Sequence, residues 1–315
     1  MIRPLGKVLS MLNFLSGSKT LTLKHGDVVT ARIGALLRDA SVEIMPRTAS
    51  KIEDFHELFP KGTRIYIAHI AGTPIGDMVA TARRLREAGF AVMPHFPARS
   101  IRDRAELREW IDRYQAEAGV DQGLILAGDA STPLGTFDSS MQLLDTGLFE
   151  ETGFRYLHVA GHPEGNRSID PDKDSRNADA ALFWKQEYAR HSRAEMAIVT
   201  QFCFSMPPVL GWIKHLRTIG ISLPIHLGVA GPTKLQTLIK YAVTSGVGPS
   251  LSVLQRRATD LGQLVKPYEP TQLFQALLED SADIDRALLP DAIHMFPFGG
   301  IKASADYLMQ YQQVG

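Results

Sequence analysis

The 315-residue chain has one cysteine, Cys203, which excludes an internal disulfide and any cysteine-rich metal site. That scarcity fits a reducing compartment. Neither sign of charge is in excess, with 34 Lys and Arg against 34 Asp and Glu. No global field therefore points to nucleic acid or an anionic membrane as partner. Long hydrophobic runs are missing too. The nearest approach, Val8 to Leu15, is broken by Ser10 and Asn13, and it precedes no convincing small-residue cleavage site. It is too short to span a membrane. It is expected to pack against the underside of the fold or a partner subunit in a homo-oligomer, and the protein is expected in the cytoplasm. G-x-G-x-x-G, G-x-S-x-G and H-E-x-x-H are all absent. The open dinucleotide-binding sheet, the serine nucleophile elbow and the helical zinc site thus lack their signatures.

What the chain does have is a rhythm. Eight short apolar runs fall at 41–45, 64–70, 90–96, 123–128, 156–161, 196–202, 224–230 and 293–298. They are rich in Val, Ile, Leu and Phe without strict alternation, as parallel strands buried on both faces should be. Amphipathic segments lie between them. In 74–88, Met78, Val79, Ala82 and Leu85 share one face while Arg83, Arg84 and Glu87 point away; in 233–245 the stripe is Leu235, Leu238, Ile239 and Ala242. Thr73-Pro74 reads as a cap followed by proline at the first helical position, and Gly89, Gly119 and Gly220 stand where helices should stop. Alternation repeated eight times over roughly 260 residues predicts an α/β fold, a (β/α)8 TIM barrel. The expected organisation is a single domain: residues 1–40 as an N-terminal extension, 41–300 as the barrel, and 301–315 as a C-terminal helix. Residues 247–290 exceed one crossover, so 251–257 and 271–279 are expected as additional helices before strand eight.

Barrel enzymes keep their chemistry at the carboxyl ends of the strands. Those ends carry Glu43, His69, His95, Asp129, His162 with Glu164, Gln201, and the stretch from Gly228 to Gly231. Glu43 is flanked by Val42, Ile44 and Met45. Burial there is expected to raise its pKa and suit it to general-acid work near neutral pH. A salt-bridged structural glutamate is the competing reading. At Gly128-Asp129 the glycine permits close approach of a ligand and the acid can accept from an N–H-rich heterocycle, although the pair also opens ordinary turns. The loop from Ala160 to Asn166 packs two glycines, a proline and three polar side chains, which reads as a ligand-binding loop, with a plain βα turn as the competing reading. No metal is expected: the three strand-end histidines lack an H-x-H on the first strand and any cysteine partner. Cys203 is expected to be a buried small apolar residue.

Set in order, these endings resemble the methylenetetrahydrofolate reductases, flavin-linked (β/α)8 barrels of one-carbon metabolism. Ser41 to Thr48, with Glu43, Pro46 and Arg47, is similar to a shortened form of the family's first-strand segment Phe-Glu-Phe-Phe-Pro-Pro-Arg-Thr. Pro94-His95-Phe96-Pro97 resembles its Pro-His-Leu-Thr, and Ala127-Gly128-Asp129 its Arg-Gly-Asp. Val159-Ala160 through Pro163-Glu164 to Asn166 mirrors its Val-Ala-x-x-Pro-Glu-x-His loop, and Val199-Thr200-Gln201-Phe202-Cys203-Phe204 its Ile-Thr-Gln-Phe-Phe-Phe. The order holds over most of 40–247 and more loosely to 310.

The resemblance implies roles. Glu43 would be the general acid that helps open the imidazolidine ring of the substrate. Asp129 would lie between flavin and pterin, Gln201 would hydrogen-bond the pterin, Tyr241 would stack near the substrate, and Lys302 would meet the folate glutamate tail. It also implies FAD held by His69, His95, Gly128, Asp129, Ala160, His162, Glu164 and Asn166, with NADH or NADPH as co-substrate. The implied reaction interconverts 5,10-methylenetetrahydrofolate and 5-methyltetrahydrofolate, a step toward methionine biosynthesis. On the flavin side the chain departs from the family pattern. Ala127 replaces its arginine, Ala68 a threonine, and Ser139 and His162 two tyrosines. Each loss is worth on the order of 1 kcal/mol, with Arg99 a candidate compensation. Three readings stay open: an FAD enzyme, direct hydride transfer between NAD(P)H and folate, and a non-redox tetrahydrofolate-binding or methyl-transfer protein.

Overall fold

Eight parallel strands close on themselves in the order of the sequence. The computed structural model describes residues 25–172, 174–244, 267–280 and 284–312. The strands are β1 (Ser41–Ile44), β2 (Arg64–Ile67), β3 (Ala91–Pro97), β4 (Gln122–Leu126), β5 (Tyr156–Gly161), β6 (Glu195–Cys203), β7 (Ile225–Ala230) and β8 (Ala292–Phe296). Closure is made by β8 against β1, with Ser41 opposite His294 and Val42 opposite Met295. Every run expected from the sequence is a strand, and the fold is the (β/α)8 barrel.

The helices are α1 (His25–Leu37), α2 (Pro46–Ala49), α3 (Ile75–Glu87), α4 (Arg104–Ala118), α5 (Ser140–Asp145), α6 (Leu148–Glu151), α7 (Arg176–His191), α8 (Met206–Thr218), α9 (Leu235–Thr244), α10 (Thr271–Asp280) and α11 (Ile301–Gln312). The apolar faces expected for α3 and α9 are the buried ones. Gly89, Gly119 and Gly220 end their helices with positive φ. Two details differ from expectation. Pro74 caps α3 from an extended conformation instead of opening its first turn, its carbonyl accepting from Asp77 N at 3.0 Å. Arg84 does not point away: it donates to the carbonyls of Ala49, Ile52 and Glu53, so its long side chain clamps the segment after α2 onto α3. Of the expected extra helices, 271–279 is α10; 251–257 lies outside the described residues, as does Val8 to Leu15. Part of the N-terminal extension is α1, which packs on α10 and α11. Gly34 permits that docking, because a Cβ there would sit 2.4 Å from the Tyr311 carbonyl oxygen.

Residue parity along the strands separates two cores. Val42, Ile44, Ile65, Ile67, Val92, Ile125, Leu157, Val159, Leu227 and Val229 face outward into the helical layer and join the main hydrophobic cluster. Full burial of each such side chain stabilises the fold by roughly 1.5–3 kcal/mol. The opposite parity fills the barrel. There the apolar part is small: Tyr66, Met93, Leu124 and Val199, with Leu126 and Tyr156 against them. Barrel interiors are ordinarily packed with branched aliphatic side chains. This one is filled out by Ser41, His95, Gln122, His158 and His294, all buried.

Candidate active site

Glu43 stands at the carboxyl end of β1, and two imidazoles converge on one of its oxygens. His95 Nε2 lies 3.2 Å and His294 Nε2 3.9 Å from Glu43 Oε2. Neither Nε2 has an aligned hydrogen-bond partner among the described residues. Burial alone would raise the Glu43 pKa, but His294 and His95 outweigh it and lower the group to about 2. The sequence-based expectation of a raised pKa is therefore reversed. An apolar flank says nothing about what fills the barrel, and here it is imidazole. The contacts with His95 and His294 are those the competing reading, a salt-bridged structural glutamate, would also make.

Below this group the barrel axis is polar. His294 Nδ1 is 2.9 Å from Ser41 Oγ, and the Tyr66 hydroxyl is 2.5 Å from His158 Nδ1. The Tyr66 ring packs edge-on against His294 at 4.4 Å, and His158 against His226 at 4.7 Å. Arg64 donates to Gln122 Oε1 and lies over the Tyr156 ring. Burial pushes the His158 and His294 pKa values down, and burial, with Arg64 and His294 both opposing a proton there, takes His226 to about 3. These imidazoles are neutral at physiological pH. Sequence reasoning missed His294, His226, Tyr66 and Ser41. The signal was available: Ser41/Glu43, Arg64/Tyr66, Tyr156/His158 and His294/Phe296 are spaced two apart within apolar runs, the spacing of one strand face.

Around the mouth, Gly128 adopts φ +90° and packs so that a Cβ would lie 3.0 Å from Pro97 Cβ. The turn presents Asp129 to solvent. His69 lies tilted against Trp110 at 5.1 Å, both of its ring nitrogens lack partners among the described residues, and burial together with His95 lowers its pKa while Asp129 opposes. Gln201 sits where β6 shifts register between Val199 and Phe202, with Thr200 Oγ1 accepting the Gly228 N–H at 2.8 Å. Glu43, His95, His69, Asp129 and Gln201 thus share one end of the barrel. Tyr241 is half-exposed on α9 and stacks on Phe298 at 4.3 Å, and Phe298 in turn lies parallel to Phe296 at 5.7 Å. Phe296 meets His294 edge-on. Sequence reasoning found the first ring of this aromatic wall and missed the other two.

Other expected residues stand apart. Lys302 pairs with Asp306 on its own helix at 3.1 Å, on the exposed face of α11. Asn166 is consumed locally, its Oδ1 accepting from Ser168 N and Oγ. His162 is lowered to about 4 by burial and by Lys185 of α7. Ala160 and Glu164 are half-buried, and Glu164 adds to the burial that raises the Cys203 thiol. Cys203 is buried as expected. Asp170 holds the loop onto α7, accepting from Asn177 N and Ala178 N.

The side chains a flavin diphosphate would need are already committed. Arg99 pairs with Asp138 at 2.7 Å and donates to the Ala130 carbonyl, Ser139 caps α5, and Asn166 closes its own turn. Among the described residues expected at a flavin, His69, Gly128 and Asp129 line the mouth, and none of the three supplies fixed positive charge. The fit of the described residues to FAD is poor. Among the described residues no group of three His, Cys, Asp or Glu could hold a metal ion, and no helix is long and apolar enough to cross a membrane.

No protein-family model matches the chain. Among solved structures, the fold is similar to that of an uncharacterized protein from Clostridium thermocellum that binds two copies of 5-methyl-5,6,7,8-tetrahydrofolic acid. The TM-score is 0.53 at 11% identity, covering 89% of this chain and 97% of that one.

Proposed function

We propose that the protein binds tetrahydrofolates in the barrel mouth and interconverts 5,10-methylenetetrahydrofolate and 5-methyltetrahydrofolate, as its resemblance to the methylenetetrahydrofolate reductases implies. Hydride comes from, or returns to, NADH or NADPH. The observation that carries the reading is the Glu43 carboxylate held between His95 and His294. Reduction of the methylene carbon breaks its bond to one nitrogen, and that nitrogen must take a proton. A carboxylate–imidazole group at the mouth can hold that proton. Asp129 and Gln201 offer an acceptor and an amide to a pterin edge. Tyr241, Phe298 and Phe296 give a flat ring an apolar wall. The structural neighbour's affinity for 5-methyltetrahydrofolate supports the same ligand class here.

The test is turnover of methylenetetrahydrofolate by purified protein with NADH or NADPH, with and without added FAD, alongside the visible spectrum. Turnover by a colourless protein without FAD supports direct hydride transfer. A yellow protein that releases FAD on denaturation would show that the flavin finds partners other than those above. Binding of 5-methyltetrahydrofolate without turnover under any condition would make the protein a folate-binding module and end the reductase reading.

A further inference from the structure

Two imidazoles face Glu43, and they are not equivalent. His294 has no exposed surface, whereas His95 stands at the end of β3 with its side chain about 10% exposed toward the mouth. Proton counting separates them further. Ser41 Oγ lies 2.9 Å from His294 Nδ1 and 3.4 Å from the Ile293 carbonyl oxygen. The hydroxyl has one proton. Given to Nδ1, it makes His294 the Nε2–H tautomer, a donor facing the carboxylate. Given to Ile293, it would turn a bare Nε2 lone pair on that carboxylate. The shorter contact and the Glu43 charge both select the first arrangement.

His294 is then a fixed neutral donor with no proton to spare. Its burial keeps it uncharged, and the low Glu43 pKa leaves the carboxylate without a proton at neutral pH.

We infer that His95, and not Glu43, hands the proton to the substrate, with Glu43 as its charged partner and His294, keyed by Ser41, as a positioning residue. The inference rests on the folate reading and names its proton donor. In the reductive direction, hydride from the nicotinamide forms a C–H bond at the methylene carbon and the nicotinamide is oxidised. The bond from that carbon to its leaving nitrogen breaks, the electron pair stays on nitrogen, and the His95 imidazolium supplies the proton. Neutral imidazole remains beside the Glu43 carboxylate until solvent reprotonates it. General-acid catalysis of this kind contributes roughly 10²- to 10⁴-fold.

The two donors predict opposite results for His95→Gln. If Glu43 were the acid, removing His95 would release its carboxyl from a group that holds it down, and turnover near pH 7 would persist or rise. With His95 as donor, kcat should fall at least about 100-fold with KM for the folate little changed. Retained or increased turnover overturns the inference. Ser41→Ala should lower kcat about 10-fold and Ser41→Thr, which keeps the hydroxyl, should restore it; equal loss in both removes the positioning role. A second readout needs no turnover and so separates failure of the inference from failure of the folate reading. Imidazole ¹⁵N shifts of the unliganded protein should show His294 as the neutral Nε2–H tautomer at about pH 7. A charged His294, or the Nδ1–H tautomer, overturns the proton count even if the enzyme is active.

Discussion

Acid should unfold this barrel from its interior, and His226 gives the magnitude. Its pKa falls from 6.5 to about 3 because burial, Arg64 and His294 all oppose a positive charge. His158 is the other ring against it. In the unfolded chain the imidazole binds its proton as pH drops through 6.5, while in the folded state it stays neutral down to about 3. The unfolded state holds more protons throughout that window, so stability rises with pH there and is lost as pH falls. At about pH 4.5 the loss from this group is about 2–3 kcal/mol. Glu43 does not confuse the measurement. Its depressed pKa gives stability that is complete above 4.5 and lost only as pH falls from there toward about 2. The assay is urea unfolding followed by tryptophan fluorescence at about pH 7 and about pH 4.5, for the protein and for His226→Gln. The change of ring costs something at both pH values, so the quantity to read is the difference between the two acid-induced losses. The variant should lose about 2–3 kcal/mol less than the parent on acidification. Equal losses within about 0.5 kcal/mol, with unchanged m-values, would refute the reasoning.

Removing the hydroxyl in Tyr66→Phe strands His158 Nδ1 in the barrel and should cost about 1–3 kcal/mol in urea unfolding at neutral pH. Arg84→Met keeps the aliphatic stem but drops the donors to three carbonyls; thermal melting should show a loss of about 1–3 kcal/mol. Tyr241→Ala removes the outermost ring of the aromatic wall. It should raise the folate KM, or the Kd for 5-methyltetrahydrofolate by calorimetry, about 10-fold with kcat little changed.

The outer architecture was legible because it depends on apolar residues that occur in runs. Ile65, Ile67, Val92, Leu227 and Val229 need only be buried against helices, and any such run between caps and glycines reads as a strand. Glu43, His95, Asp129 and Gln201 were legible as strand endings. Their partners were not, because partnership depends on closure: Ser41 meets His294 only when β1 pairs with β8, 253 positions away. The Glu43 pKa was misjudged for the same reason. Local sequence supplied the desolvation, while the opposing donors come from β3 and β8. Lys302 and Asn166 are a different case: the resemblance implied them, and in the fold each has a short-range partner, Asp306 or Ser168, for its polar group.

The polar axis of the barrel has a consequence for how the protein can change. In most barrels the packing layer beneath the mouth can be exchanged among aliphatic residues without touching the chemistry above it. Here Ser41, Tyr66, His158 and His294 are at once filler and field. Exchanging His294 for leucine or isoleucine to harden the fold would remove one of the two imidazoles that hold the Glu43 pKa down, and exchanging Ser41 would remove the hydroxyl against that ring. Conversely, a substitution that retunes the mouth must still fill the same volume. Robustness to acid and heat is therefore tied to the proton inventory of the site, and a thermostable redesign confined to the inner face should lose turnover before it loses shape.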